Sequence, residues 1–417
     1  MKKALLSFGA IMIIALPVLA KMPSIDVKGE IRVRGEEINN ATDFLNTTAA
    51  GANDDKDSHV NTRIRVQMDA ELSDGVGVHL NMDHPDGNWR STRPTIDNLT
   101  AYIGMRHAYL TIDDVAGLVD LALGKQGIGE LNRELVLWYD AIDAKKASAK
   151  LGGNLSLSGI CAKRVENGTV DDTDTDIQGI SGAINLELLG GIDLAGYGYR
   201  KIVHQSNKDA NTKTNIYGAK VSGSMDIAST LNYSVEYALQ LGTGTNVAGI
   251  EDKDAKAYRG VLGYTTEVEG LGNLSLELSY LKMSGDDGST TDKNETFSGI
   301  ASNLDYYAAL VDQTNGGVLA GANGRKDINV NAKVTPEAID NLTIGISYTN
   351  FSSAEKSNGK TDMGSELDLS ASYKYSDTTS LGFTYARFTP GEVQDAAIAG
   401  SNKDAATMLR CELLTKF

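Results

Sequence analysis

Five arginines carry the clearest chemistry in this sequence. Arg32 and Arg34 follow Glu30 in "VKGEIRVRGE", Arg63 and Arg65 sit in "NTRIRVQMDAEL", and Arg410 lies in the closing run "MLRCELLTKF". Arginine at every second position puts consecutive guanidiniums on one side of an extended chain. Guanidiniums hold carboxylates and phosphates through paired donors. Such a strip therefore either guides anionic solutes, as arginine patches do in pores, or is neutralised by acids on the same face. Two runs joined by one connection pair antiparallel. Aligning their polar faces sets Arg34 opposite Arg63 and Arg32 opposite Arg65, and if the last run closes on the first, Arg410 flanks Arg32. Like charges opposed across a sheet destabilise it. Glu30, Glu412 and Asp69 lie one or two steps away on the same face and offset part of the charge.

Other chemistry is sparse. The histidines are His59, His79, His84, His107 and His204. Asp83 precedes His84, but adjacent residues of a strand point to opposite faces, so the two make no acid–base pair. No serine stands in a nucleophile-elbow motif and no histidine pair has zinc-helix spacing. An enzyme is not expected, and no catalytic or metal-binding residue is assigned. The acidic runs "VDDTDTD" at 170–176 and "SGDDGSTTDKNE" at 284–295 offer carboxylates to calcium but lack the spacing of the helical calcium loop. They read as solvated loops, so no cofactor is expected beyond calcium in these loops. Gly152-Gly153 belongs to a turn rather than a phosphate cradle, because no strand–loop–helix unit surrounds it. Cys161 and Cys411 are the only cysteines, each inside a strand-like run, which excludes a disulfide scaffold.

The elements that position these residues read as strands almost from end to end. In "SIDVKGEIRVRGE", Ile25, Val27, Ile31 and Val33 face one way and the charged residues the other. The alternation returns in "HVNTRIRVQMDAEL", "STLNYSVEYALQL", "NLSLELSYL", "NLTIGISY" and "SELDLSASYKY". Tight links such as "SDG" at 73–75, "LGG" at 151–153 and 189–191, "EGLG" at 269–272 and "YSDTT" at 375–379 alternate with long polar connections at 39–58, 85–101, 167–176, 242–254, 285–325, 352–362 and 389–405. Short turns at one end and long loops at the other describe a transmembrane antiparallel up-and-down β-barrel. A soluble sandwich alternates apolar and polar residues as well, but its crossings disturb the length pattern. The count is about eighteen strands, or sixteen if one pair of runs is misread. Phase is ambiguous over 102–150, and "ASNLDYYAALV" near 300–310 is placed in the longest loop.

The first twenty residues, with Lys2, Lys3, an apolar core and "VLA", read as a signal peptide; residues 21–417 then form one barrel domain. The net charge of −16 becomes −18 when Lys2 and Lys3 leave with the leader, which argues against a nucleic-acid partner. Phe417 ends the last run on its apolar face, at the level of the periplasmic aromatic girdle. Residues 127–138, "GIGELNRELVLW", are unusually apolar for a connection, so Leu131, Leu135 and Trp138 mark either an inward-folded constriction or a surface loop. These features point to passive diffusion of small hydrophilic solutes, anionic ones included. A structural or adhesive barrel and an outer-membrane hydrolase are the rival classes.

"VKGEIRVRGE", "NTRIRVQMDAELSDGVGVHL", "RHAYLTI" and "LGKQ" resemble the N-terminal strands of alginate-export-type outer-membrane porins. That resemblance implies a Gram-negative outer-membrane barrel of eighteen strands with an arginine-rich lumen, and export of an anionic polysaccharide as the alternative function. It also implies that Arg32, Arg34, Arg63 and Arg65 line the lumen and that Lys125 stands where the family has arginine. A terminal phenylalanine likewise resembles the signal such barrels present to the barrel assembly machinery. Expected partners are thus outer-membrane lipid, that machinery and small hydrophilic solutes; the oligomeric state is left open between the trimers common among porins and the monomers that the resemblance implies.

Overall fold

Alternating apolar residues leave one face of each strand dry and one wet, and a sheet built from such strands escapes open edges only by closing on itself. The computed structural model does so. It describes residues 24–41, 44, 56–88, 104–129, 135–165, 174–187, 191–204, 211–226, 229–243, 252–290, 293–300, 307–314, 319, 323–357, 359–393 and 404–417. The signal-peptide reading and Leu131 lie outside these residues.

Eighteen strands form the wall: β1 (Ser24–Asn39), β2 (Asp57–Ser73), β3 (Val76–Asn88), β4 (Gly104–Val115), β5 (Val119–Ile128), β6 (Tyr139–Leu151), β7 (Leu155–Val165), β8 (Thr175–Leu186), β9 (Ile192–Val203), β10 (Thr212–Asp226), β11 (Thr230–Thr243), β12 (Asp252–Val268), β13 (Gly272–Met283), β14 (Arg325–Pro336), β15 (Leu342–Ser357), β16 (Lys360–Lys374), β17 (Thr379–Pro390) and β18 (Ala406–Lys416). Each pairs antiparallel with its sequence neighbours, and β1 pairs with both β2 and β18. A two-residue segment, Lys293–Asn294, lies parallel to β12. An α-helix, α1 (Ala309–Gln313), follows β13, and among the described residues no helix is long and apolar enough to cross a membrane.

The parity expected from sequence holds. Ile25, Val27, Ile31 and Val33 of β1 are exposed on the outer face, whereas Arg32 and Glu36 are buried inside. Outward tyrosines form an upper ring (Tyr217, Tyr237, Tyr258, Tyr280, Tyr348), and Tyr264, Tyr373, Phe383 and Phe417 form a lower one, as at membrane interfaces. Closure is local and specific. The Gly29 amide donates to Phe417 O (2.8 Å) and the Phe417 amide to Gly29 O (3.0 Å). The Phe417 ring lies where a side chain at position 29 would stand, so only glycine fits there.

Three expectations change. The ambiguous stretch 102–150 resolves into β4, β5 and β6, with tight turns at 116–118 and 337–341 that the sequence reading passed over. The connection expected at 352–362 is mostly strand, because β15 and β16 continue through it with register shifts near Phe351 and Ser352. The segment near 300–310 is no strand where described: it leads into α1, inside the barrel.

Candidate functional site

The inward faces of β18, β1, β2, β3 and β4 carry a charged wall. All five expected arginines lie on it, but in a different order. The register pairs Arg32 with Arg63, Arg34 with Asn61 and Glu30 with Arg65. It differs by two residues from the alignment that set Arg34 against Arg63 and Arg32 against Arg65. A two-residue slip preserves every facing, so hydrophobic patterning cannot choose between the two. Charge does. In the observed register the Glu30 carboxylate accepts from Arg63 Nη2 (2.6 Å) and Arg65 Nη1 (3.4 Å). Arg410 is likewise opposite Glu36 rather than beside Arg32, which instead faces Leu414.

Every expected arginine has a carboxylate nearby. Arg34 Nε and Nη2 reach Glu412 Oε2 at 2.9 and 2.8 Å, and Arg32 Nε lies 3.8 Å from the same oxygen. Arg410 Nε donates to Glu36 Oε1 (2.6 Å), and Arg65 Nε donates to Asp83 Oδ2 (3.0 Å). The Glu36 side chain is fully buried and also accepts from Asn61 Nδ2 (3.1 Å), with His59 Nε2 3.2 Å away. Sequence reasoning missed Glu36, Asp83 and the pair Arg106–Asp140, in which Arg106 Nε donates to Asp140 Oδ2 (2.7 Å). Arg106 was hidden by a bulge: Asn81 pairs with His107 and Met82 with Met105, so Arg106 is the extra residue that breaks the alternation. Asp69, assigned above to offset the arginines, instead lies 2.8 Å from His79 Nδ1 and accepts from Gln67. Lys125 lies on the outer face, opposite Ala108.

His79 Nε2 also lies 3.2 Å from Thr111 Oγ1, and Tyr109 stacks on its ring. Acid, imidazole and hydroxyl stand in the order of a nucleophilic relay. The backbone beside Thr111 belongs to the β3–β4 ladder, with Gly77 paired to Thr111, so its amides are committed to the sheet rather than turned toward an oxyanion.

The rest of the lumen is occupied differently. Leu135, Val136 and Leu137 are fully buried against inward residues of β6 to β13, among them Ile177, Tyr199, Ile216 and Ala257. Of the expected constriction residues, Leu135 is thus inside the barrel, and Trp138 is half-buried beside it. Tyr197 and Tyr199 cover Gly218 and Gly179, and Tyr197 Oη donates to the buried Glu236 (2.6 Å). A second inward segment places Leu310 and Val311 of α1 against Phe351, Met363, Phe388 and Met408. The α1 amides are held by the wall: Leu310 and Val311 donate to Glu366 (2.6 and 3.1 Å) and Ala309 donates to Asp368 (3.2 Å). In the acidic run at 284–295, ligand atoms of Asp286, Asp287 and Glu295 come within 4.8 Å of one another. The Ser289 hydroxyl and amide hold the Asp287 carboxyl below its ordinary pKa. In the run at 170–176, Lys163 Nζ donates to Asp174 (2.6 Å) and His204 Nε2 lies 3.0 Å from Asp176.

No curated protein matches the sequence. Solved structures match in fold at low identity. Pseudomonas aeruginosa outer membrane protein opdK is 13% identical with a TM-score of 0.57, covering 94% of this chain and 99% of its own. Pseudomonas aeruginosa OccK9 (OpdG) is 15% identical with a TM-score of 0.58, covering 94% and 98%. Acinetobacter baumannii OccAB4 is 12% identical with a TM-score of 0.54, covering 94% and 98%. The sequence profile of the family described as alginate export matches residues 25–407, nearly the whole barrel. The chain is an outer-membrane β-barrel and belongs to the alginate export family.

Proposed function

We propose that the chain is an outer-membrane channel passing small hydrophilic solutes along the charged wall, with a modest preference for anions. The observation that carries this reading is the composition of that wall. Six guanidiniums (Arg32, Arg34, Arg63, Arg65, Arg106, Arg410) are seated on five carboxylates (Glu30, Glu36, Asp83, Asp140, Glu412), so a continuous strip of exchangeable cationic donors runs along the wall. An anionic solute moving down the wall exchanges with carboxylates already seated on the guanidiniums, so it binds weakly and leaves readily, as conduction requires. The inward segments around Leu135 and α1 narrow the lumen from the apolar side. Titratable wall groups and the His79 relay supply polarity for hydrated solutes, and the reading needs no cofactor.

The test is the reversal potential of pure protein in planar bilayers under a salt gradient. The wild type is expected to favour anions. Arg32→Ala/Arg65→Ala should move the preference toward cations. Glu30→Gln, which frees Arg63 and leaves Arg65 on Asp83 alone, should strengthen anion preference. Cation preference in the wild type, or no response to either change, sinks the proposal. Raising salt should shrink all three effects, since the screening length falls from about 10 Å at 0.1 M to about 3 Å at 1 M. The alternative, export of an anionic polysaccharide, rests on the family and predicts that such a polymer blocks the current from the periplasmic side. The assembly role of Phe417 is tested by Phe417→Ala, which should lower the amount of folded barrel in the membrane.

A further inference from the structure

Over β12, β13 and β14 the outer wall ends upward in tyrosine and then in lysine. Lys256, Lys282 and Lys326 alternate with Ala257, Leu281 and Asp327, which are buried inside, so all three lysines face outward. With a rise of about 3.3 Å per residue and a tilt near 40°, a strand climbs about 2.5 Å per residue along the membrane normal. Lys256 stands twelve residues above the lower end of β12 at Val268, Lys282 ten above Gly272, and Lys326 ten above Pro336. Their backbones are therefore about 25–30 Å up, at the top of an apolar band roughly 25 Å tall. Lys256 and Lys282 each stand two residues beyond an outward tyrosine, Tyr258 and Tyr280, and such tyrosines mark the head-group level.

The chain supplies these three amines with no counter-charge. Lys282 is directly opposite Lys326 across β13 and β14, with Tyr258 opposite Lys282 on its other side. Lys256 lies one diagonal step away, its backbone bonded to Ser284. Among the described residues none of the three lysine side chains has an ion pair or a hydrogen bond. Like charges set directly opposite destabilise a sheet unless an anion offsets them. Other outward cations stand singly: Lys145 faces Leu123 and Cys161, Lys213 faces Ile202 and Thr243, and Arg387 faces Leu367 and Thr407. Beside the lysines lies a depression of about 360 Å³, lined by Lys256, Tyr258 and Lys282 and, on its loop side, by Asp254, Glu295 and Glu355. Asp254 is held by Lys293 Nζ (3.0 Å). The carboxylates repel an anion arriving from the loops and leave the lysines accessible from the lipid side.

We propose that Lys256, Lys282 and Lys326 hold a phosphate monoester on the head group of an outer-leaflet glycolipid. A monoester carries a charge of about −1.5 to −2 at pH 7 and three strong acceptor oxygens. Three amines match that charge, and the Tyr258 hydroxyl adds a donor on the same face. A phosphodiester brings less charge and fewer free oxygens. Lysine binds phosphate as a point charge without a fixed geometry, which suits a head group that shifts in the plane of the membrane. The acyl chains of such a lipid lie against the apolar band directly below. The proposal rests on the outer-membrane placement of the barrel and not on what passes through it, because none of the three lysines faces the lumen.

Native mass spectrometry of the intact barrel in detergent tests this, with lipid A bearing both its phosphates and the same glycolipid stripped of phosphate as probes. The wild type is expected to retain the first and to release the second. A lysine near an anionic surface is worth roughly fivefold in affinity, so Lys282→Ser/Lys326→Ser should weaken binding about thirtyfold. Lys282→Arg/Lys326→Arg should keep most of the affinity, and Lys213→Ser, on the outer face of β10, should change it little. The comparison of the two glycolipids uses the wild-type chain and does not depend on the variants folding. Equal retention of the stripped glycolipid, an indifferent Lys282→Ser/Lys326→Ser, or an equal loss in Lys213→Ser overturns the proposal. So does release by EDTA, which would reveal a bridging metal, or full displacement by millimolar inorganic phosphate, which would reveal a site for the free anion. Because the readout is lipid retained on the outer wall, the channel proposal stands or falls separately on reversal potential.

Discussion

The two halves of the lumen obey the same alternation and present opposite chemistry. On β1 and β2 the inward residues are Glu30, Arg32, Arg34, Glu36, Arg63 and Arg65, cross-linked by charged hydrogen bonds. On β8 to β12 they include Ile177, Tyr197, Tyr199, Ile216, Ala238 and Ala257, packed on Leu135, Val136 and Leu137. An inward face is polar where water fills the lumen and apolar where a connection folds back over it.

The largest expected effect comes from breaking the charged half. Glu36→Ala leaves Arg410 and Arg34 with a deleted partner at a buried site, and removing one member of a buried pair costs about 3–5 kcal/mol. Urea unfolding of the detergent-solubilised barrel checks this; a loss under 1 kcal/mol, on the order of a surface ion pair, would show the network to be solvated. Leu137→Ala breaks the apolar half instead. It should cost about 2–4 kcal/mol as a cavity in a packed cluster. It should also raise single-channel conductance by loosening the inward segment, and unchanged conductance would separate that segment from the pore. Salt sharpens the contrast: a buried Glu36 network should keep most of its effect in about 1 M salt, as the Leu137 cluster does, and a Glu36 effect that collapses in salt would show the network to be solvated. The smallest effect is Tyr197→Phe, which deletes the bond to Glu236. A loss of about 1–3 kcal/mol is expected for an orphaned buried carboxylate, with little change in conductance. A variant as stable as the wild type would mean that water reaches Glu236.

Much of this architecture is legible in the sequence, because a strand with one wet and one dry face writes its parity into every second residue. That parity assigned Ile25, Val27, Ile31 and Val33 to the membrane and all five arginines to the lumen. The turn residues gave most of the short links, and Phe417 marked the closure of the last strand on the first. Parity is blind to shifts of two, so the register that pairs Arg32 with Arg63 and Arg410 with Glu36 was decided only when whole strands docked and opposite charges met. It is also blind to bulges, which is why Arg106 was missed. Leu135, Val136 and Leu137 join one buried cluster with residues of β5 to β13, an assembly that no local pattern records. Facing is a property of one strand, whereas register and lumen filling belong to the closed barrel.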